Sequence, residues 1–169
     1  MFNKKGLSGV ITMVLLIGLT VVAVAIVGVV VRNMINNQVE SSESCFGNFN
    51  KVTINSLYTC YNNTDSTNKL LFSIKIGDID VDEVLVAISS AGATSSLRIK
   101  NESSTITDVT NYPDGVEGEN VKLPDKNGGL TYIYDLSASP GKPDRIEIAP
   151  IINGKQCGTS DSLSSIDIC

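Results

Sequence analysis

Histidine and tryptophan are both absent from the 169 residues. Without histidine the chain lacks the commonest general base near neutral pH and the commonest metal ligand. Serine and cysteine hydrolase triads, and zinc sites that use imidazole, are thereby excluded within this chain. No glycine-rich phosphate loop is present either, because Asn127-Gly128-Gly129 sits in a predicted turn and is followed by Leu130. Acidic residues are missing from the first 39 positions, and all 18 lie at or beyond Glu40. Segment 33–169 carries 10 basic side chains against those 18, a net of −8, which gives no electrostatic footprint for nucleic acid. Such a charge suits solubility in a salty exterior. The inventory predicts no catalytic residue, no cofactor and no metal, and so not an enzyme.

What the sequence does have is an apolar run. Leu7 to Val31 are 25 residues without a charge, 16 of them Leu, Ile or Val. On insertion scales those 16 favour a bilayer by about 5–10 kcal/mol. As a helix the run would be about 37 Å long, enough to span a hydrocarbon core of about 30 Å. It holds no proline, and its glycines at 9, 18 and 28 are spread out. Lys4 and Lys5 precede it and Arg32 follows, so the positive side predicts a cytoplasmic N-terminus and an extracellular domain. Ala23-Val24-Ala25 has the small-x-small form of a secretory cleavage site, yet Ile26 to Val31 continue the run where a signal peptide turns polar. A plain signal anchor is a further reading. Met34, Ile35 and Val39 keep an apolar face beyond Arg32, which predicts a helix over 7–40 that ends in a linker at Ser41-Ser42-Glu43-Ser44.

Lys4-Lys5-Gly6 followed by Leu7-Ser8-Gly9-Val10-Ile11-Thr12, with the apolar stretch through Val27, resembles the class III signal peptide and N-terminal helix of archaeal type IV pilins and archaellins. Bacterial relatives usually carry Glu at the fifth mature position; here it is Ile11, and archaeal relatives commonly lack that Glu, which points to their branch. The resemblance covers about the first fifth of the chain. It implies a leader over 1–6, cleaved between Gly6 and Leu7 by a membrane prepilin-type peptidase. It also implies handling by a pilus assembly platform and residence in the membrane before assembly. The mature subunit would then join a homo-oligomeric helical filament through its N-terminal helix, at the cell surface, for adhesion or surface contact. An archaellum subunit for motility and a monomeric membrane-anchored extracellular binding protein are the alternatives. No nucleic-acid partner is expected.

From Cys45 the texture changes to short apolar stretches between Asn, Asp, Ser, Gly and Pro. Strands are predicted at Val52–Leu57, Leu70–Ile76, Val84–Ile88, Leu97–Lys100, Leu130–Leu136 and Arg145–Ile152. Several alternate in polarity, such as Leu71, Ser73 and Lys75 against Phe72, Ile74 and Ile76, which implies one buried and one wet face. Turns are predicted at 63–65, 113–115, 124–129 and 139–141, and a long loop over 101–120. The expected class is mainly β: a long apolar N-terminal helix, then an antiparallel immunoglobulin-like β-sandwich over 45–169. The family resemblance implies the same sandwich.

Cys45, Cys60, Cys157 and Cys169 all lie beyond the run, an even number on the outer side, which points to disulfides. Three pairings are possible, and proximity in sequence favours Cys45–Cys60 with Cys157–Cys169; a four-thiolate metal site is disfavoured by the lack of a C-x-x-C pair. Asn62-Asn63-Thr64 and Asn101-Glu102-Ser103 are glycosylation sequons at Asn62 and Asn101. Asp78, Asp80, Asp82 and Glu83 alternate like calcium ligands, but the EF-hand pattern fails because its sixth and twelfth positions are Glu83 and Ser89. Charges that guard a wet strand edge are the favoured reading there.

Overall fold

The computed structural model describes residues 5–48, 50–63, 68–137 and 141–169. Contacts divide the chain into two units, Met1–Ser42 and Glu43–Cys169. The class is the expected one, a long apolar N-terminal helix followed by mainly antiparallel β-structure.

Helix α1 runs from Lys5 to Cys45 without interruption. Its Val and Ile content would favour strand in water. A helix nonetheless satisfies every backbone group within the segment, which an apolar run without a partner strand requires. The predicted linker at 41–44 is helical instead. Nothing in Ser41-Ser42-Glu43-Ser44 breaks a helix, and the first residue suited to a left-handed stop is Gly47, at φ 81°. Asn48 N–H then returns to Cys45 O at 3.3 Å.

Thirteen strands follow among the described residues: β1 Val52–Ile54, β2 Cys60–Asn62, β3 Lys69–Ile76, β4 Glu83–Ser90, β5 Ala93–Lys100, β6 Ser104–Thr105, β7 Val109–Asn111, β8 Asn120–Val121, β9 Gly129–Asp135, β10 Arg145–Ile152, β11 Lys155–Gln156, β12 Asp161–Ser164 and β13 Asp167–Ile168. Sheet one is ordered β13-β2-β3-β9-β7, with β1 on the other half of β3. Sheet two is ordered β11-β10-β4-β5, with β12 also on β10. A small ribbon pairs β6 with β8. Every pairing is antiparallel except β13 on β2.

The inner faces meet in one core. Leu70, Phe72, Ile74 and Tyr132 come from sheet one, and Val84, Val86, Ile88, Ile146 and Ile148 from sheet two; all are buried. Phe72 lies opposite Tyr132 in register, their ring centroids 5.3 Å apart. Side chains also stitch the sheets together at one end. Asp161 Oδ2 on β12 accepts from Ile54 N–H at 2.8 Å, and Ser160 Oγ donates to Val52 O at 2.7 Å.

Two expectations are corrected at the start of the sandwich. The strand predicted at Val52–Leu57 stops at Ile54, because Asn55 Oδ1 accepts from Leu57 N–H at 3.1 Å and caps a 3₁₀ turn over Ser56–Tyr58. Ser73, predicted on a wet face, is buried, since Thr59 Oγ1 accepts from its N–H at 3.2 Å and covers it. Likewise the loop expected over 101–120 contains β6, β7 and the first residue of β8. Of the predicted turns, residues 64–65 and 139–140 lie outside the described residues. The 124–129 turn closes with Asn127 at φ 57° and Gly128 N–H on Asp125 O at 2.9 Å, where a Cβ on Gly128 would approach that oxygen to 2.8 Å.

Tyr132 carries the clearest pH signature of the core. Its hydroxyl donates to Lys122 O at 2.7 Å, and burial raises its pKa well above the ordinary tyrosine range. A raised acid pKa means the unfolded chain ionises first, so this contribution is intact below about pH 10 and is lost as pH rises beyond it. Stability is expected to fall above pH 10 by up to about 1.4 kcal/mol per pH unit from this group. Tyr132→Phe is expected to cost about 1 kcal/mol at pH 7, by stranding the Lys122 carbonyl, and to flatten that alkaline slope. Urea midpoints at pH 7, 10 and 11 measure both effects; an unchanged slope in the variant would assign it elsewhere.

Candidate functional site: an uncovered apolar helix

Between Gly9 and Ile35, α1 is long and apolar enough to cross a membrane, and none of this stretch is buried. Its large side chains are widely exposed, from 46% at Val31 to 73% at Leu19. At 1.5 Å per residue the stretch measures about 40 Å. Its polar groups are few and managed locally. Thr20 Oγ1 donates to Ile17 O at 2.8 Å, so that hydroxyl demands no outside partner. Arg32, near the far end, is its one charged residue. Gly28 leaves a notch on one face, bounded by Val24, Val27, Val31, Arg32 and Ile35, and nothing lies within 4 Å of where its Cβ would be. A helix apolar all round and uncovered requires lipid or other protein around it.

Gly6 and Leu7, the expected scissile pair, fall in the first turn of α1, while residues 1–4 of the expected leader lie outside the described residues.

The four cysteines form two disulfides, but not the pairs that proximity in sequence favours. Cys45 bonds Cys157, with Cα atoms 5.5 Å apart, and Cys60 bonds Cys169, at 5.0 Å. The reason is the course of the chain through two sheets. Cys157 follows β11, its N–H on Pro150 O at 2.9 Å in sheet two, whereas Cys169 follows β13, its N–H on Tyr61 O at 3.0 Å in sheet one. Eleven residues of intervening chain cross from one sheet to the other, which separates the nearer partners and delivers each cysteine to a remote one.

Asn101 is exposed in the bend after β5, its backbone N–H held by Asp82 O at 2.8 Å. Asn62 is half-buried as the last residue of β2, opposite Lys69, and Thr64 of its sequon lies outside the described residues. The structure therefore presents Asn101 openly and Asn62 less so.

The acidic stretch is the crossover from β3 in sheet one to β4 in sheet two rather than a strand edge. Ile79 and Val81 pack inward while Asp78, Asp80 and Asp82 face solvent. Asp80 pairs with Lys126 at 2.8 Å, and this contact raises the lysine's pKa. Asp82 Oδ2 accepts from Gly154 N–H at 2.9 Å, and Glu83 pairs with Arg98 at 3.6 Å. Among the described residues no three Asp, Glu, Cys or His side chains converge as a metal cluster.

A groove of about 410 Å³ opens beside the ends of β3 and β9, lined by Lys69, Thr105, Asp108, Thr110, Glu117 and Asp135, among others. Ser137 donates to Asp135 through its hydroxyl and, at 2.8 Å, through its N–H, which lowers the pKa of that carboxyl. Polar side chains line it alongside Ile106, Val109 and Ile133. Sequence reading also passed over Leu57 and Tyr58, which the 3₁₀ turn holds 88% and 62% exposed; only the Asn55 cap would have announced them. No family model, curated protein or solved structure matches this chain.

Proposed function

We propose that this chain is a structural subunit of a surface filament of the type IV pilus kind, serving adhesion or surface contact. The observation that carries the reading is the uncovered helix from Gly9 to Ile35. Such a surface suits lipid before assembly and a dry bundle of sister helices afterwards. Cleavage after Gly6 removes Lys4 and Lys5 and leaves an α1 that can exit the bilayer into that bundle. The two disulfides in the domain fit an oxidising exterior. The acidic sandwich then coats the filament and keeps it soluble.

Intact mass and N-terminal sequencing of protein taken from its native cell surface test this directly. A mature start at Leu7 is expected. A second reading, a monomeric anchored binding domain, draws on the polar groove at Lys69 and Asp135. It requires a start at Met1 instead, and a start at Ile26 would make the protein a secreted one.

The notch at Gly28 supplies a second test. In a helix bundle, small residues let backbones approach closely. Gly28→Phe is expected to leave membrane insertion and processing unchanged while cutting filament yield at least tenfold. Sedimented filaments against total processed subunit give the ratio; an unchanged ratio would remove this face from the assembly contact.

A further inference from the structure

The disulfides are crossed in chain order, first cysteine with third and second with fourth. Their sequence separations, 112 and 109 residues, make the two covalent loops overlap almost completely. Together the loops enclose every residue from Cys45 to Cys169. A backbone break between Cys45 and Cys60 is bridged by Cys45–Cys157 alone. Between Cys60 and Cys157 both disulfides bridge it, and between Cys157 and Cys169 Cys60–Cys169 alone does so. Sequential pairing, by contrast, would leave everything between Cys60 and Cys157 unbridged.

We propose that the crossed pair is a retention lock, which keeps the β-sandwich covalently attached to α1 after any single backbone cut between Cys45 and Cys169. Hydrolysis of one peptide bond consumes one water and leaves a new carboxylate and a new ammonium; neither S–S bond takes part. The fold is built to survive such a cut. The turn at 124–129 and the segment 114–119 are largely exposed, and such sites are where proteases nick a folded domain. Nicking the 124–129 turn frees the start of β9, yet β9 lies between β3 and β7 and is hydrogen-bonded along both edges. The sheets therefore hold the pieces in place natively, and the disulfides hold them when the sheets open. The reductive state of the surroundings becomes the switch once the sheets open: the piece beyond the cut stays attached in oxidising conditions and is shed in reducing ones. This inference rests on the disulfides and stands whether or not the chain polymerises.

The test uses the full chain in detergent, with a site for a sequence-specific protease placed in the 125–128 turn. Cleavage is scored on a denaturing gel with reductant, where two fragments must appear. The expected result without reductant is one species, heavier than the parent by one water. Two fragments without reductant would overturn the proposal. A second variant, Cys45→Ser with Cys157→Ser, separates the zones. With the protease site at 125–128 it is expected to stay joined through Cys60–Cys169. With the site moved into the 46–51 segment, it is expected to release α1 even without reductant. Loss of the joined species at 125–128 would show that the pairs are not crossed.

Discussion

Gly6→Val is expected to leave the whole population as full-length, membrane-bound chain starting at Met1, with filaments reduced at least a hundredfold. The size of the effect follows from the leader's charge. If the leader is retained, Lys4 and Lys5 must enter the dry helix bundle or hold α1 at the cytoplasmic face. On insertion scales each ammonium costs about 2.5–3.5 kcal/mol in an apolar core. Two of them oppose assembly by about 5–7 kcal/mol, a factor near 10⁴ in an equilibrium constant. Valine, branched at Cβ, replaces the residue without a side chain at the position where the cut is proposed. The triple variant Gly6→Val, Lys4→Gln, Lys5→Gln separates processing from charge. If charge is the barrier, this uncut chain regains part of the filament yield. Equal filament amounts from wild type and Gly6→Val would sink the processing step, because assembly would then not depend on the cut. Immunoblot mass against sheared-surface yield measures both quantities.

The sequence made some of this architecture plain and hid the rest for identifiable reasons. The apolar run was readable because membrane-compatible helices are written in composition alone, without partners. The strands at Leu70–Ile76, Val84–Ile88 and Arg145–Ile152 were readable because their own side chains build the core. The strands β2, β7, β11, β12 and β13 are two to four residues long and largely polar, so they exist because a neighbour offers a ladder. The turn between β4 and β5 also passed unseen. It turns on Ala91-Gly92 at φ 49° and 83°, where the usual signal is Asn-Gly and alanine announces nothing. The cysteine pairing was hidden for a topological reason. Proximity along the chain ranks partners well only when the chain stays in one sheet, and here residues 157–169 leave sheet two for sheet one. For the site, the helix was legible and the notch at Gly28 was not, since three dispersed glycines look alike until their neighbours are placed.

Removing both disulfides is expected to cost more than the fold can spare, and removing either alone less than half as much. In the chain-entropy description a loop of about 110 residues contributes about 4.8 kcal/mol. The crossed arrangement changes that value for the second bond closed. With Cys45–Cys157 intact, the unfolded chain already joins Cys60 to Cys169 through residues 45–60 and 157–169, a path of only about 28 residues. Closing that shorter loop contributes about 3.6 kcal/mol. The same path applies to Cys45–Cys157 when Cys60–Cys169 is intact. Each paired Cys→Ser variant is therefore expected to lose about 3.6 kcal/mol, and the fourfold variant about 8.4 kcal/mol. A domain of this size is typically stable by about 5–15 kcal/mol, so the fourfold variant sits at or beyond the edge of folding. The native contacts at the C-terminus are sound without the bond: Ile166 is fully buried and Cys169 N–H reaches Tyr61 O at 3.0 Å. The loss thus belongs to the unfolded state and should appear as a shifted urea midpoint, with the native β-sheet signal of each paired variant preserved. Singles that cost under 1 kcal/mol would refute the entropic account. A fourfold loss equal to or less than the sum of the two singles would refute the crossed pairing, because loops that do not overlap contribute independently.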